Sequence, residues 1–325
     1  MQQRSHPTMA HNPILANGRA HGTSWMMPEA TKYRHLLYVA DYVGTPDFFV
    51  NVYAYRSTAG TLVGQLQIPY APRGLCVDAS ANVYVTGWPG GSNYQGEIEE
   101  YAHGSTTLKH SATLLGIPES CAVDPTTGDI AVPLLQAPPS GVGGLDLIVG
   151  GLKHGHQTFL NDPGGLTEMI YGAYDPSGNL FVNGNNGSGD FLDELPKDSS
   201  QFIHLAGLQL QSVSPGVQWD GHDIAVGDAL KGKNGKGELV VKAITVSGSV
   251  VTVIHKRIYT DSGCRHGLTV NQMVISERGA KLLVSANASC PNRIDFWHYA
   301  RHGAPVRKWA NAGLIDPDGQ AISSL

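Results

Sequence analysis

Charge is scarce in this chain. Asp, Glu, Lys and Arg make up 15% of its 325 residues, against about a quarter in an ordinary soluble domain. The formal net charge is −5, which excludes a nucleic-acid binder that works by neutralising phosphates. No run of eighteen apolar residues occurs, so no segment reads as a membrane-spanning helix. There are only four cysteines, Cys76, Cys121, Cys264 and Cys290, and none forms a Cys-x-x-Cys pair. That excludes a zinc ribbon and a thioredoxin-type motif. Neither a Gly-x-Ser-x-Gly elbow nor a His-Glu-x-x-His helix is present, so no catalytic constellation is visible and the chain reads as a binding protein rather than an enzyme. Residues 1–34 lack an apolar core of signal-peptide type. They read as an extended or disordered arm of a mature or trimmed chain.

The abundant features point one way. Forty glycines, nineteen prolines and 41% hydrophobic residues describe a turn-rich, all-β chain with enough apolar surface for a large core. One phrase recurs: a short apolar strand, an Asp-bearing turn, then a second apolar strand. It runs Pro72-Arg-Gly-Leu-Cys-Val-Asp78 into Asn82-Val-Tyr-Val-Thr86, and Pro118-Glu-Ser-Cys-Ala-Val-Asp124 into Asp129-Ile-Ala-Val132. Three more copies turn at Asp175, Asp220 and Ser276. Two further strand-like runs follow each copy, as in Glu97–Tyr101 and Thr107–Ser111. Four strands in about 48 residues is a propeller-blade period. The ends hold matching halves: Leu36–Asp41 is a second strand with no first, and Pro317–Ser323 is a first strand with no second. The expectation is a six-bladed β-propeller over 35–325, closed by the C-terminal strand pairing with the N-terminal blade.

These phrases resemble the NHL-type six-bladed β-propellers over about 290 residues. The resemblance implies the fold. That superfamily contains protein-binding scaffolds, lactonases and lyases, so it leaves the activity open.

The blade plan places residues on faces. The Asp-bearing turns fall on the bottom face, where Asp capping, Pro and Gly are ordinary turn chemistry rather than calcium ligands. Longer loops, 87–96, 133–144, 184–190, 228–237 and 286–292, fall on the top face with the inter-blade links. Trp88 and Tyr94 in the first could stack on a sugar or a peptide, or Trp88 could pack between blades. Loop 228–237 reads as a basic, Gly-rich loop without the context of a phosphate-binding loop.

Five residues before each turn, at the mouth of the central channel, the six blades offer Asp318, Arg73, Glu119, Ile170, Pro215 and Asn271. An arginine between two carboxylates is first a salt-bridge network. It is also a polar half-ring able to grip a ligand. Gluconolactonase-type propellers hold a metal with Glu, Asn and Asp at the mouth. The resemblance therefore implies one divalent metal such as Ca on Glu119, Asn271 and Asp318 in the enzyme reading, against which Arg73 already neutralises the acids; the binding reading needs no cofactor. Of fourteen histidines, His266 lies on the link entering blade 6, on the mouth's face. His154 and His156 fall at the outer rim.

The cysteines are read either as buried thiols or as two disulfides of an oxidising compartment. Cys264 and Cys290 both lie on top-face loops of blade 6. Cys76 and Cys121 sit on the inner strands of blades 2 and 3 with opposite parity, so they face each other across the inter-blade gap or face directly away. The combined reading is an exported propeller, extracellular or periplasmic, that binds a protein, small-molecule or carbohydrate ligand. A metal-dependent lactonase or lyase and a self-assembling structural protein are the alternatives.

Overall fold

Each repeat folds as one antiparallel sheet, because its apolar residues alternate along four short runs punctuated by Asp, Pro and Gly. The computed structural model describes residues 23–42, 48–91, 94–231, 237–261, 263, 268, 270–276, 281–286 and 293–325. It is a ring of six such sheets, each with strands A to D from the axis outward. Blade 1 comprises Pro317–Ser324, His35–Asp41, Phe48–Ala54 and Leu62–Ile68. Blade 2 comprises Ala71–Val77, Val83–Trp88, Glu97–Tyr101 and Leu108–Thr113. In blade 3 strand A is broken into Ile117–Pro118 and Ala122–Val123, followed by Ile130–Ala137, Val142–Val149 and His156–Leu160. Blade 4 comprises Glu168–Tyr174, Leu180–Asn185, Asp190–Leu195 and Ile203–His204. Blade 5 comprises Val217–Trp219, Ile224–Lys231, Gly237–Ser247 and Val250–Tyr259. Blade 6 comprises Val274–Ile275, Leu282–Ala286, Ile294–His298 and Arg307–Trp309.

The ring closes as the matched half-repeats imply. Pro317–Ser324 pairs antiparallel with His35–Asp41, with Leu37 opposite Ile322 and Tyr38 opposite Ala321. Closure covers the inner edge of strand B of blade 1, an edge that would otherwise invite foreign strands. Trp25 and Met26 add a short outer strand against Gln65 and Gly64 of the same blade.

Blade strands are buried on both faces, and each gap between blades is its own apolar core. Leu36, Tyr38 and Ala40 face blade 2. Their neighbours Leu37 and Val39 face blade 6, where Phe296 and Trp309 are fully buried. The Arg307 guanidinium lies 3.8 Å from the Phe296 ring centroid and 5.3 Å from that of Trp309. The gap between blades 2 and 3 holds the Cys76–Cys121 disulfide, with Cα atoms 5.5 Å apart. The parity of the two cysteines thus resolves to the facing arrangement. Cys264, Cys290 and His266 lie outside the described residues.

Two corrections concern loops. Residues 228–231 continue strand B of blade 5 and Gly237 already begins strand C, so the basic loop is shorter than 228–237. Residues 133–137 and 142–144 are likewise strand, leaving 138–141 as the turn of blade 3. In both cases apolar residues inside the expected loop pair across the hairpin, Leu230 with Glu238 and Leu134 with Gly144. The bottom turns behave as ordinary Asx turns. Asp78 Oδ1 accepts from the Ser80 and Asn82 amides at 2.9 and 2.8 Å, and Asp175 Oδ1 does the same for Ser177 and Asn179.

On the top face, buried carboxylates pin the links between blades. Asp41 accepts from the Ile315 and Asp316 amides. Asp146 accepts from Leu115, and Asp228 from Gln211 and Ser212. An acid on one blade thus fixes the chain arriving from another, which holds the top-face geometry in place.

Candidate functional site

The mouth residues are set by a repeated irregularity in strand A. Pairing in blade 2 jumps from Pro72–Gly87 to Leu75–Val85, so Arg73 and Gly74 oppose Thr86 alone. In blade 4 it jumps from Met169–Gly184 to Tyr171–Asn183 around Ile170. In blade 1 it jumps from Pro317–Asp41 to Gln320–Val39 around Asp318 and Gly319. In blade 3 the strand breaks at Glu119–Cys121. Such bulges re-aim side chains and bend the strand, and here they carry the residues that ring the mouth. Strand B staples them: Thr86 Oγ1 donates to Gly74 O at 3.1 Å, and Asn183 Oδ1 accepts from the Tyr171 amide at 3.1 Å.

Below the mouth the A strands close on one another. A Cβ built on Gly74 would stand 2.3 Å from Ser120 Cα, and one on Gly319 would stand 2.1 Å from Arg73 O. Glycine is required at both places because backbone occupies the side-chain volume. Gln272 of blade 6 then spans past blade 1 to blade 2. Its Nε2 donates to Leu75 O at 3.0 Å, and its Oε1 accepts from Gln320 N at 3.1 Å. The mouth therefore has a floor.

Above that floor Arg73 Nη1 lies 3.2 Å from Asp318 Oδ2. The Asn271 side chain lies close enough to Asp318 to pull its carboxyl down. Glu119 is the strongest electrostatic partner of Arg73 and, with Asp318, holds its guanidinium more firmly protonated, against burial. Burial pushes the Glu119 carboxyl up to about 7; Arg73 pulls it down, while Asp318 and Glu168 push it further up. The Asp318 carboxyl is likewise raised, first by burial, with Arg73 opposing. No described residue donates a hydrogen bond to the half-buried Glu119 carboxyl, which water still reaches, whereas Arg73 Nε is out of water without a partner. The structure thus brings Arg73, Glu119, Asp318 and Asn271 together.

Ile170 and Pro215 contribute no charge to this ring. The sequence reading missed Glu168 and Tyr171, which supply the acid and a buried phenol on the blade 4 side. Trp88 ends strand B of blade 2 with its Nε1 out of water and unpartnered, whereas Tyr94 is 39% exposed. His154 and His156 lie at the outer rim of blade 3. Among the described residues, no group of three or more His, Cys, Asp or Glu side chains is placed to hold a metal ion. No described helix is long and apolar enough to cross a membrane.

Two outcomes follow for stability. Replacing Arg73 by Ala leaves Asp318 and Glu119 without their cation. Full burial would make that cost 3–5 kcal/mol, but the Arg73 side chain is 34% exposed, so water screens the loss and about 2 kcal/mol is expected by denaturant titration. The pH dependence has a definite sign. Carboxyls whose folded values are raised favour the fold when protonated, and that contribution is lost as pH rises through the folded value. Besides Glu119, burial raises Asp41, Asp146 and Asp295 to about 6. The thermal midpoint should therefore fall between pH of about 5 and about 8. Glu119→Gln should raise the midpoint at the upper pH and hardly change it at the lower. A Gln variant less stable at the upper pH would contradict this.

Comparison with solved structures agrees with the ring. A chain of a nidogen–laminin complex superposes with a TM-score of 0.59 at 16% identity, over 89% of this chain and 98% of that one. This is a six-bladed β-propeller. A putative 6-phosphogluconolactonase from Bacteroides fragilis gives 0.52 at 12% identity, over 91% and 99% of the two chains. TolB from Acinetobacter baumannii gives 0.51 at 10% identity, over 89% and 66%. At such identities the propeller's likeness to these proteins concerns fold alone. No protein-family model matches the chain, and no curated protein matches it.

Proposed function

We propose that this propeller is an exported binding protein whose channel mouth receives a protonated amine or guanidinium, carried by a partner protein or a small molecule. The observation that carries the reading is Glu119: a half-buried carboxyl at the mouth, raised by its surroundings and without a hydrogen-bond donor from the described chain. Among the described residues, two further carboxyl groups, Asp318 and Glu168, and one cation, Arg73, stand around it, so carboxyl groups outnumber bases there. A ligand cation would supply the missing donor in a partly dehydrated setting, where charge-assisted hydrogen bonds are strong. The Cys76–Cys121 disulfide supports export, because such bonds persist in oxidising compartments.

The test is calorimetric titration with a short peptide bearing Lys and Arg, set against an acidic peptide of equal length. The basic peptide should saturate the protein above neutral pH. Glu119→Gln should weaken it by about tenfold or more. Equal binding of the two peptides, or indifference to the substitution, would overturn the reading.

The raised Glu119 carboxyl also favours a second reading. A group that titrates near neutrality beside Asp318 and Asn271 suits a lactonase- or lyase-type hydrolase with a divalent metal at the mouth. Metal analysis of the dialysed protein separates the two, since a stoichiometric retained ion would favour the enzyme.

A further inference from the structure

Blades 4 and 5 are mismatched at their outer edges. Strand D of blade 4 is only Ile203–His204, whereas strands C and D of blade 5 run for 11 and 10 residues. Ala206 bridges to Val250 at the start of strand D of blade 5, but further along that strand residues 252–256 stay exposed. A cleft of ≈ 700 Å³ lies there, walled by blade 5 and bounded by the link 207–211 and by Phe191 of blade 4. That volume is within the range of small-molecule sites. The cleft stands apart from the channel mouth and shares no residue with it.

Its walls combine apolar surface with one uncompensated cation. Leu210, Leu230, Val253 and Phe191 supply the apolar part, and Val253 is 40% exposed. Lys242 and Lys256 stand directly opposite each other on strands C and D, an arrangement that like charges disfavour. Lys242 is neutralised: its Nζ is 2.7 Å from Asp228 Oδ2 and 2.5 Å from Gln209 O. Asp228 is already engaged on both oxygens, Oδ1 by the Gln211 and Ser212 amides and Oδ2 by Lys242, and makes no ion pair with Lys256. The remaining acid of the cleft, Asp190, accepts from Asn185 Nδ2 at 2.8 Å. Lys256 is exposed and has no acidic partner among the described residues.

We propose that this cleft is a second binding site, for a small organic carboxylate with an apolar body. The body would lie against Leu230, Val253 and Phe191. The carboxylate would pair with the Lys256 ammonium, the one cation of the cleft without an acidic partner.

Octanoate, octanamide and octylamine test the proposal by calorimetry or protein NMR. Octanoate should bind saturably in the millimolar range or tighter, at least about tenfold more tightly than the amide, while the amine is excluded. Lys256→Gln, at an exposed position that leaves folding intact, should remove that preference and leave the amide's affinity unchanged. Phe191→Ala should weaken acid and amide alike. No saturable octanoate binding, equal affinity for acid and amide, or a preference that survives Lys256→Gln would each overturn the proposal. None of these readouts depends on the mouth, so failure here leaves the reading of Glu119 untouched.

Discussion

A chain shortened by residues 316–325 should not form a stable monomeric ring. The deletion removes the whole of strand A of blade 1, whose Pro317, Gly319, Gln320 and Ala321 are buried. It exposes the inner edge of His35–Asp41 and uncovers apolar residues that face both neighbours. It also removes Gln320, whose side chain donates to Gln272 O and Val284 O at 2.8 and 2.7 Å and accepts from Ala286 N. Losing these groups together should exceed the roughly 5–15 kcal/mol net stability of a typical domain. Size-exclusion chromatography should find oligomers or aggregate, and the cooperative melting transition should be lost. A monomer that melts at the wild-type temperature would refute closure by this strand.

The second large effect is expected at the disulfide. Cys76 and Cys121 are separated by 45 residues and tie the inner strands of adjacent blades. In the chain-entropy account, releasing a loop of that length costs about 4 kcal/mol, or roughly 6 °C in melting midpoint. Both side chains are buried, at 9% and 3% exposure, so a double substitution by Ala loses packing as well and should fall at least that far. Mass spectrometry of non-reduced peptides should recover residues 76 and 121 as one linked species. Thiol labelling at either position under denaturing, non-reducing conditions would contradict the pairing.

The architecture was legible because a propeller is periodic. Five copies of one phrase, with complementary halves of a sixth at the two termini, leave little freedom in blade count or closure. The cysteine pairing was half legible: parity along the two strands put Cys76 and Cys121 either face to face or back to back, and only packing could decide. The mouth was legible as a set of positions, since a fixed offset from each turn landed on Arg73, Glu119 and Asp318. Its construction was not. Nothing in the local sequence marks a bulge at Arg73–Gly74 or a broken strand at Glu119–Cys121, because these arise from how A strands converge on the axis. For the same reason the offset picked Ile170 in blade 4 and passed over Glu168, two residues upstream. The blade 5 hairpin also ran longer than expected, because Gly and Lys near its tip read as loop while Leu230 and Glu238 pair across it.

The central claim is that Glu119, a half-buried acid whose carboxyl is raised despite Arg73 beside it, receives a ligand cation at the channel mouth. The most direct measurement is a carbon-detected NMR titration of the Glu119 side-chain carboxyl, with and without the basic peptide. The account predicts a midpoint near 7 in the free protein, moving down when the peptide binds, since a cation favours the carboxylate. A midpoint at the ordinary glutamate value of about 4.3, unmoved by the peptide, would contradict it.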